Sequence, residues 1–149
     1  MGMATLWTIG YERLPPDALV AELTTAGVQR VLDVRIRPQS RRPGMSKTKL
    51  GHRLAEHGIA YESRRTLGTP PDIRPLFRSG AVRRAADAFR AHLEQTAAAE
   101  LDALAAELTA PDAPRTALLC LEAEPAHCHR RVVAELLHER APALRVVDL

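Results

Sequence analysis

Two stretches of the chain are apolar almost throughout: Arg30-Val31-Leu32-Asp33-Val34 and Thr116-Ala117-Leu118-Leu119-Cys120-Leu121. A strand wetted on one side alternates apolar and polar residues. A strand without that alternation is buried on both faces, the habit of a parallel sheet covered by helices on each side. The segments around them fit such a sheet. Leu6-Trp7-Thr8-Ile9 is a short strand ending at Gly10, and Ile59-Ala60-Tyr61 and Leu144-Arg145-Val146-Val147 are two more. Between the strands lie helical segments. One opens at Pro15-Pro16-Asp17 and stops at Gly27, with proline where the first turn tolerates it. A second runs from Lys47 to His57, with Ser46 able to cap it and Gly58 closing it. An Ala-rich region from Ala81 to about Leu108, broken once, and a helix from Cys128 to Glu139 complete the set. Residues 35–45 read as a polar loop, and residues 63–79 as a long irregular stretch with Pro70, Pro71 and Pro75.

The order is therefore β-α-β-α-β-α-β-α-β. We expect an α/β fold: one three-layer domain over residues 1–149, with a mostly parallel sheet of about five strands and helices on both faces. A chain of 149 residues with 46% hydrophobic and 26% charged residues can bury one such core, which excludes a disordered or fibrous chain. No apolar run approaches the ~20 residues of a membrane span. The start of the chain lacks the basic and apolar regions of a secretory leader. Two cysteines are too few for a disulfide scaffold, so a cytoplasmic address is expected.

Charge is unevenly placed. From Arg35 to Arg90 there are 14 Lys and Arg against 4 Asp and Glu, a local balance of +10, whereas the rest of the chain carries −7. So basic a segment attracts phosphate, in a nucleotide or in a nucleic-acid backbone. The alternative is a solvated face paired with acids elsewhere. Aromatic residues are 3% of the chain, which argues against a base-stacking single-strand platform.

In parallel sheets of this kind, ligands bind beyond the carboxyl ends of the strands, near the point where strand order reverses. The residues that follow the strands should converge there: Gly10-Tyr11, Asp33-Val34-Arg35 and Cys120-Leu121-Glu122. With Pro38-x-Ser40-Arg41, Gly58-Ile59-x-Tyr61, Leu67-Gly68 and Cys128-His129-Arg130, these residues form one ordered set that resembles the bacterial and archaeal family known as domain of unknown function 488. The resemblance extends from about Thr8 to Leu137. It implies a small α/β protein and strengthens the list of site residues, but it brings no reaction with it.

The residues themselves suggest roles. Asp33 and Glu122 are candidate catalytic carboxylates at the sheet edge, able to divide acid and base work; the alternative is that they are salt-bridged and hold loops. Cys128, at a helix start, is a candidate nucleophile, with packing or capping as the alternative. Cys120 reads as core. A phosphatase loop needs Arg six positions after its Cys, where Cys120 and Cys128 have Ala126 and Ala134. Arg130 and His129, at the same helix start, are candidate anion ligands, as are Arg35, Ser40 and Arg41 in the basic loop and Tyr11 beyond Gly10. Arg130 could instead tie Asp33 or Glu122. Cys120, His127, Cys128 and His129 lack the paired spacing of a metal site, so no metal and no cofactor is expected.

Three functions compete. The favoured one is a hydrolase or transferase acting on a phosphate-bearing, nucleotide-like substrate. The second is a nucleic-acid-binding module without catalysis, and the third a thiol-based redox or sulfur-transfer protein. The expected partner is a phosphate-bearing small molecule or a nucleic acid, not a membrane. A homodimer is the default oligomeric expectation.

Overall fold

The computed structural model describes residues 4–122 and 129–149. The five strands are β1 (Thr5–Gly10), β2 (Arg30–Asp33), β3 (Ala60–Ser63), β4 (Thr116–Cys120) and β5 (Arg145–Asp148). They form a single parallel sheet in the order β3-β2-β4-β1-β5. The described helices are α1 (Pro16–Ala26), α2 (Lys47–Glu56), α3 (Arg74–Arg78), α4 (Val82–Thr96), α5 (Ala98–Leu108) and α6 (His129–Arg140). Among the described residues no helix is long and apolar enough to cross a membrane.

The sheet separates two apolar layers. On one face Val31, Ala117 and Leu119 pack against Leu19 and Leu23 of α1 and Leu50 and Leu54 of α2. On the other, Leu32, Leu118 and Cys120 meet Phe89 and Leu93 of α4, Leu101 and Leu104 of α5 and Val133 and Leu137 of α6. Every residue of β4 is buried, as its unbroken apolar run demands. The chain leaves β1 and β2 for one face and approaches and leaves β4 by the other. The carboxyl ends of β1, β4 and β2 therefore open into a crevice at the topological switch point.

The stretch 63–79 is more ordered than its prolines suggest. It contains a 3-10 turn at Arg65–Leu67 and the short α3. Pro75 sits in the first turn of α3, where a missing N–H leaves no bond unmade. The Ala-rich region breaks at Ala97, between α4 and α5.

Two glycines let the crevice form. A Cβ on Gly10 would lie 1.7 Å from the carbonyl oxygen of Glu122, because the chain beyond β4 passes directly over the end of β1. A Cβ on Gly68 would lie 2.5 Å from the backbone nitrogen of Ile36, so the loop after β3 rests on the loop after β2. Neither approach leaves room for any other residue.

Candidate functional site

Asp33 ends β2 on the α1/α2 face and is fully buried. Its carboxylate accepts from the Arg35 backbone N–H at 3.1 Å, from Arg35 Nε at 2.9 Å and from Arg35 Nη2 at 2.7 Å. The Tyr61 hydroxyl also donates to it. Arg35, only 5% exposed, donates through Nη1 to the Met45 carbonyl at 2.8 Å and to the Tyr11 hydroxyl at 3.2 Å. Burial alone would lower the Arg35 pKa; the hydrogen bonds and charge of Asp33 outweigh it and raise the pKa above its ordinary value. Tyr61 is raised too, first by burial and then by its bond to Asp33, so its hydroxyl stays protonated. The result is a closed network in which the Arg35 fork is spent on Asp33 rather than on a ligand. It ties β2, β3, Tyr11 and the end of the basic loop into one frame.

Arg42 braces the same loop by donating to the carbonyls of Tyr11, Glu12 and Leu14. Ser40 turns the loop: its hydroxyl accepts from the Arg42 N–H at 3.1 Å, while its own N–H donates to Ser46 Oγ at 3.0 Å. Ser46 thus fixes the loop instead of capping α2.

Beside this frame, at the switch point, lies a cleft of about 540 Å³. Tyr11, Arg35, Arg37, Arg41, Arg74 and Arg78 line it, with Glu122 as its carboxylate and His129 as its imidazole. Phe77 forms part of the wall and packs edge-on against Phe89, which meets His129 in the same way. Thr69 also faces the cleft. It is only 3% exposed, and its buried hydroxyl has no hydrogen-bond partner among the described residues. Native buried hydroxyls are nearly always satisfied, so a ligand oxygen in the cleft is a natural acceptor for this one.

His129 begins α6 in the described part of the chain, and its Nε2 lies 2.8 Å from the Val34 carbonyl. A carbonyl only accepts, so Nε2 carries the proton and Nδ1 is the acceptor nitrogen of the ring. Burial first, and then the charges of Arg74 and Arg130, push the His129 pKa down to about 4, against a raising bond to Val34. The imidazole is therefore neutral near pH 7.

Arg130 is placed differently from the sequence expectation. It is fully buried beneath the strand ends, where Nη1 donates to the Glu122 carbonyl and lies 3.2 Å from the Cys120 sulfur. It holds the end of β4 and does not line the cleft, because the first turn of α6 packs against the sheet. The paired carboxylates expected from the strand ends are not realised either. Asp33 is enclosed by donors on the α1/α2 face, and Glu122 is the carboxylate that faces the cleft. Tyr11 and Arg41 do line the cleft, and Ser40 lies in an adjoining cavity. Cys128 and His127 fall outside the described residues. Cys120 is fully buried and is not a free thiol.

Donor atoms of Cys120, Glu122 and His129 lie within 4.8 Å of one another. They suit a cation poorly: the Arg130 guanidinium touches the sulfur, and the sulfur is not available as a thiolate.

Sequence reasoning did not single out Arg74, Arg78, Thr69 and Phe77. Their signal was the long stretch 63–79 itself, with Arg74 and Arg78 four apart. That spacing places two cations on one side of a helical turn.

The family model described as Domain of unknown function DUF488 matches residues 15–137, a span that contains every cleft residue named above except Tyr11. No curated protein and no solved structure matches the chain.

Proposed function

Because the chain belongs to the DUF488 family, whose description specifies no activity, we propose a function from the site itself: an enzyme, hydrolase or transferase, acting on a phosphate-bearing, nucleotide-like substrate. The observation that carries the reading is the cleft, where arginines gather around one carboxylate and one neutral imidazole at the switch point of a parallel sheet. Arg37, Arg41, Arg74 and Arg78 neutralise the phosphate, and guanidinium forks suit its oxygens. The Thr69 hydroxyl donates to one of those oxygens. Arg35 and Asp33 are positioning residues that hold Tyr11 and the basic loop. Phe77 offers an apolar wall to a base or sugar.

Glu122 is the general base. Its carboxylate accepts the proton of the attacking water or alcohol as that oxygen bonds to phosphorus. The ester oxygen leaves and takes a proton from water. The bound arginines offset the charge that builds on the phosphoryl oxygens.

Turnover of a panel of nucleotides and phosphodiesters by the wild type and Glu122→Gln tests this. The variant should bind as tightly as the wild type and turn over about 10²–10⁴-fold more slowly, the usual worth of a positioned base. Equal turnover by the two proteins, or no binding of any phosphate ester, overturns the reading. A nucleic-acid-binding module without catalysis is favoured by one observation, a second basic cavity beside the cleft. Tight oligonucleotide binding with no turnover of any ester would select that reading.

A further inference from the structure

Several cations away from the crevice are neutralised: Arg30 by Glu107, Arg53 by Asp17, Arg64 by Glu100, Arg90 by Glu139 and Arg140 by Asp102. Arg83, Arg84, Arg115 and Arg145 have no ion pair among the described residues, but none of them lines the crevice. Around the crevice Arg35 is paired with Asp33, and a cluster of further cations is not paired. Among the described residues, no carboxylate lies within ion-pair distance of Arg37, Arg41, Lys47, Lys49, Arg74 or Arg78.

These six line two adjoining cavities. Arg74 and Arg78 belong to the cleft, Lys47 and Lys49 to a neighbouring cavity of about 1000 Å³, and Arg37, Gln39 and Arg41 to both. Among the described residues the second cavity is lined by no aromatic side chain and no carboxylate; besides its cations it has proline, serine, threonine, glycine and glutamine. It offers charge without a surface for bases. The cleft, by contrast, has Tyr11 and Phe77. A cavity of about 540 Å³ suits one nucleotide-sized group. A mononucleotide held there would leave Lys47 and Lys49 unneutralised. A phosphodiester chain would continue past the shared Arg37 and Arg41 and reach them.

We propose that the ligand is a single-stranded nucleic acid, with one nucleotide in the cleft and the adjoining phosphates along Arg37, Arg41, Lys47 and Lys49. This inference rests on the phosphate-binding reading of the cleft and extends it to the neighbouring cavity. A basic groove that tracks the backbone is one half of single-strand binding; here only the nucleotide in the cleft would meet aromatic side chains, and the rest of the strand would be held by its phosphates rather than by base stacking.

The magnitudes follow from counterion release. A single strand contributes a slope of about −0.7 per neutralised phosphate to a plot of log K against log salt. Six neutralised phosphates predict a slope of about −4, and removing one of the six cations weakens binding about five-fold at 0.1 M salt. The experiment is fluorescence anisotropy with a labelled deoxythymidine dodecamer, alongside calorimetry with dTMP. The dodecamer should bind more tightly than dTMP and with the steeper salt dependence. Lys47→Gln/Lys49→Gln, at two exposed positions on α2, should weaken dodecamer binding about 25-fold, bring its slope to about −3 and leave dTMP affinity unchanged. Arg74→Gln/Arg78→Gln should weaken both ligands.

If dTMP and the dodecamer bind equally, or if the lysine variant binds the dodecamer as the wild type does, the extension is wrong and the cleft reading survives. If neither ligand binds, both fall. Tighter binding of the dodecamer annealed to its complement overturns the single-strand assignment.

Discussion

Asp33→Asn removes one charge and almost no volume from the centre of the frame that shapes the crevice. In the wild type, three donors of Arg35 and the Tyr61 hydroxyl converge on a carboxylate that is fully buried. The amide accepts through one oxygen only and turns its NH2 toward donors. Arg35 cannot deprotonate and is almost wholly buried, so its charge is left without its counter-charge. Leaving one member of a buried pair alone costs about 3–5 kcal/mol. For a domain of this size each kcal/mol moves Tm by roughly 2–4 °C, so Asp33→Asn should melt about 6–20 °C below the wild type. Urea unfolding at pH 7 checks this, with an unchanged m-value showing that the drop is stability rather than a change in the unfolded state. Arg35→Met combined with Asp33→Asn should be more stable than Asp33→Asn alone, because the stranded charge is gone. A loss of less than about 1 kcal/mol in Asp33→Asn, or a double variant less stable than the single, would refute the argument that this pair is a buried, mutually dependent unit.

Gly10→Ala should destabilise by more than the ~1 kcal/mol typical of a point substitution, since its Cβ would lie 1.7 Å from the Glu122 carbonyl oxygen; wild-type thermal stability in that variant would show that the strand ends do not approach so closely. His129 has a folded pKa of about 4, below its ordinary 6.5, so the unfolded chain takes up a proton that the native state refuses as pH falls through this window. Stability should therefore fall by at most about 3 kcal/mol between pH 6.5 and pH 4, and His129→Gln should lose less; parallel losses in the two proteins, by urea titration at several pH values, would place the titrating group elsewhere. Thr69→Val should lower phosphate affinity while leaving Tm unchanged or higher, because it removes a buried hydroxyl with no partner among the described residues. A lower Tm with unchanged affinity would make Thr69 a packing residue.

The sheet was legible because its information is local. The apolar runs at Arg30–Val34 and Thr116–Leu121 needed only their composition to be read as strands buried on both faces. Convergence of Tyr11, Arg41 and Glu122 at one edge then followed from the alternation of strands and helices. What was not legible depended on packing. Arg130 reads as an anion ligand at a helix start, and only the docking of α6 on the sheet turns it inward beneath Gly10. Asp33 and Arg35 lie two apart on one strand and so share a side, but their closure into a pair depends on Tyr11, Tyr61 and Met45 arriving from three other segments. Arg74 and Arg78 were hidden by the prolines around them, which read as irregular chain although one of them, Pro75, sits in the first turn of α3.

The central claim is that the cleft binds phosphate through cations the rest of the protein leaves unneutralised. It is tested most directly by the melting temperature of the wild type and of Arg74→Gln/Arg78→Gln, each with and without millimolar nucleotide, at low and physiological salt. A ligand bound only by the native state at 100 times its Kd adds about 2.7 kcal/mol, which raises Tm by several degrees. The account predicts that rise in the wild type and its absence in the variant, with the two unliganded proteins melting together. The same ligand-induced rise in both proteins would contradict it.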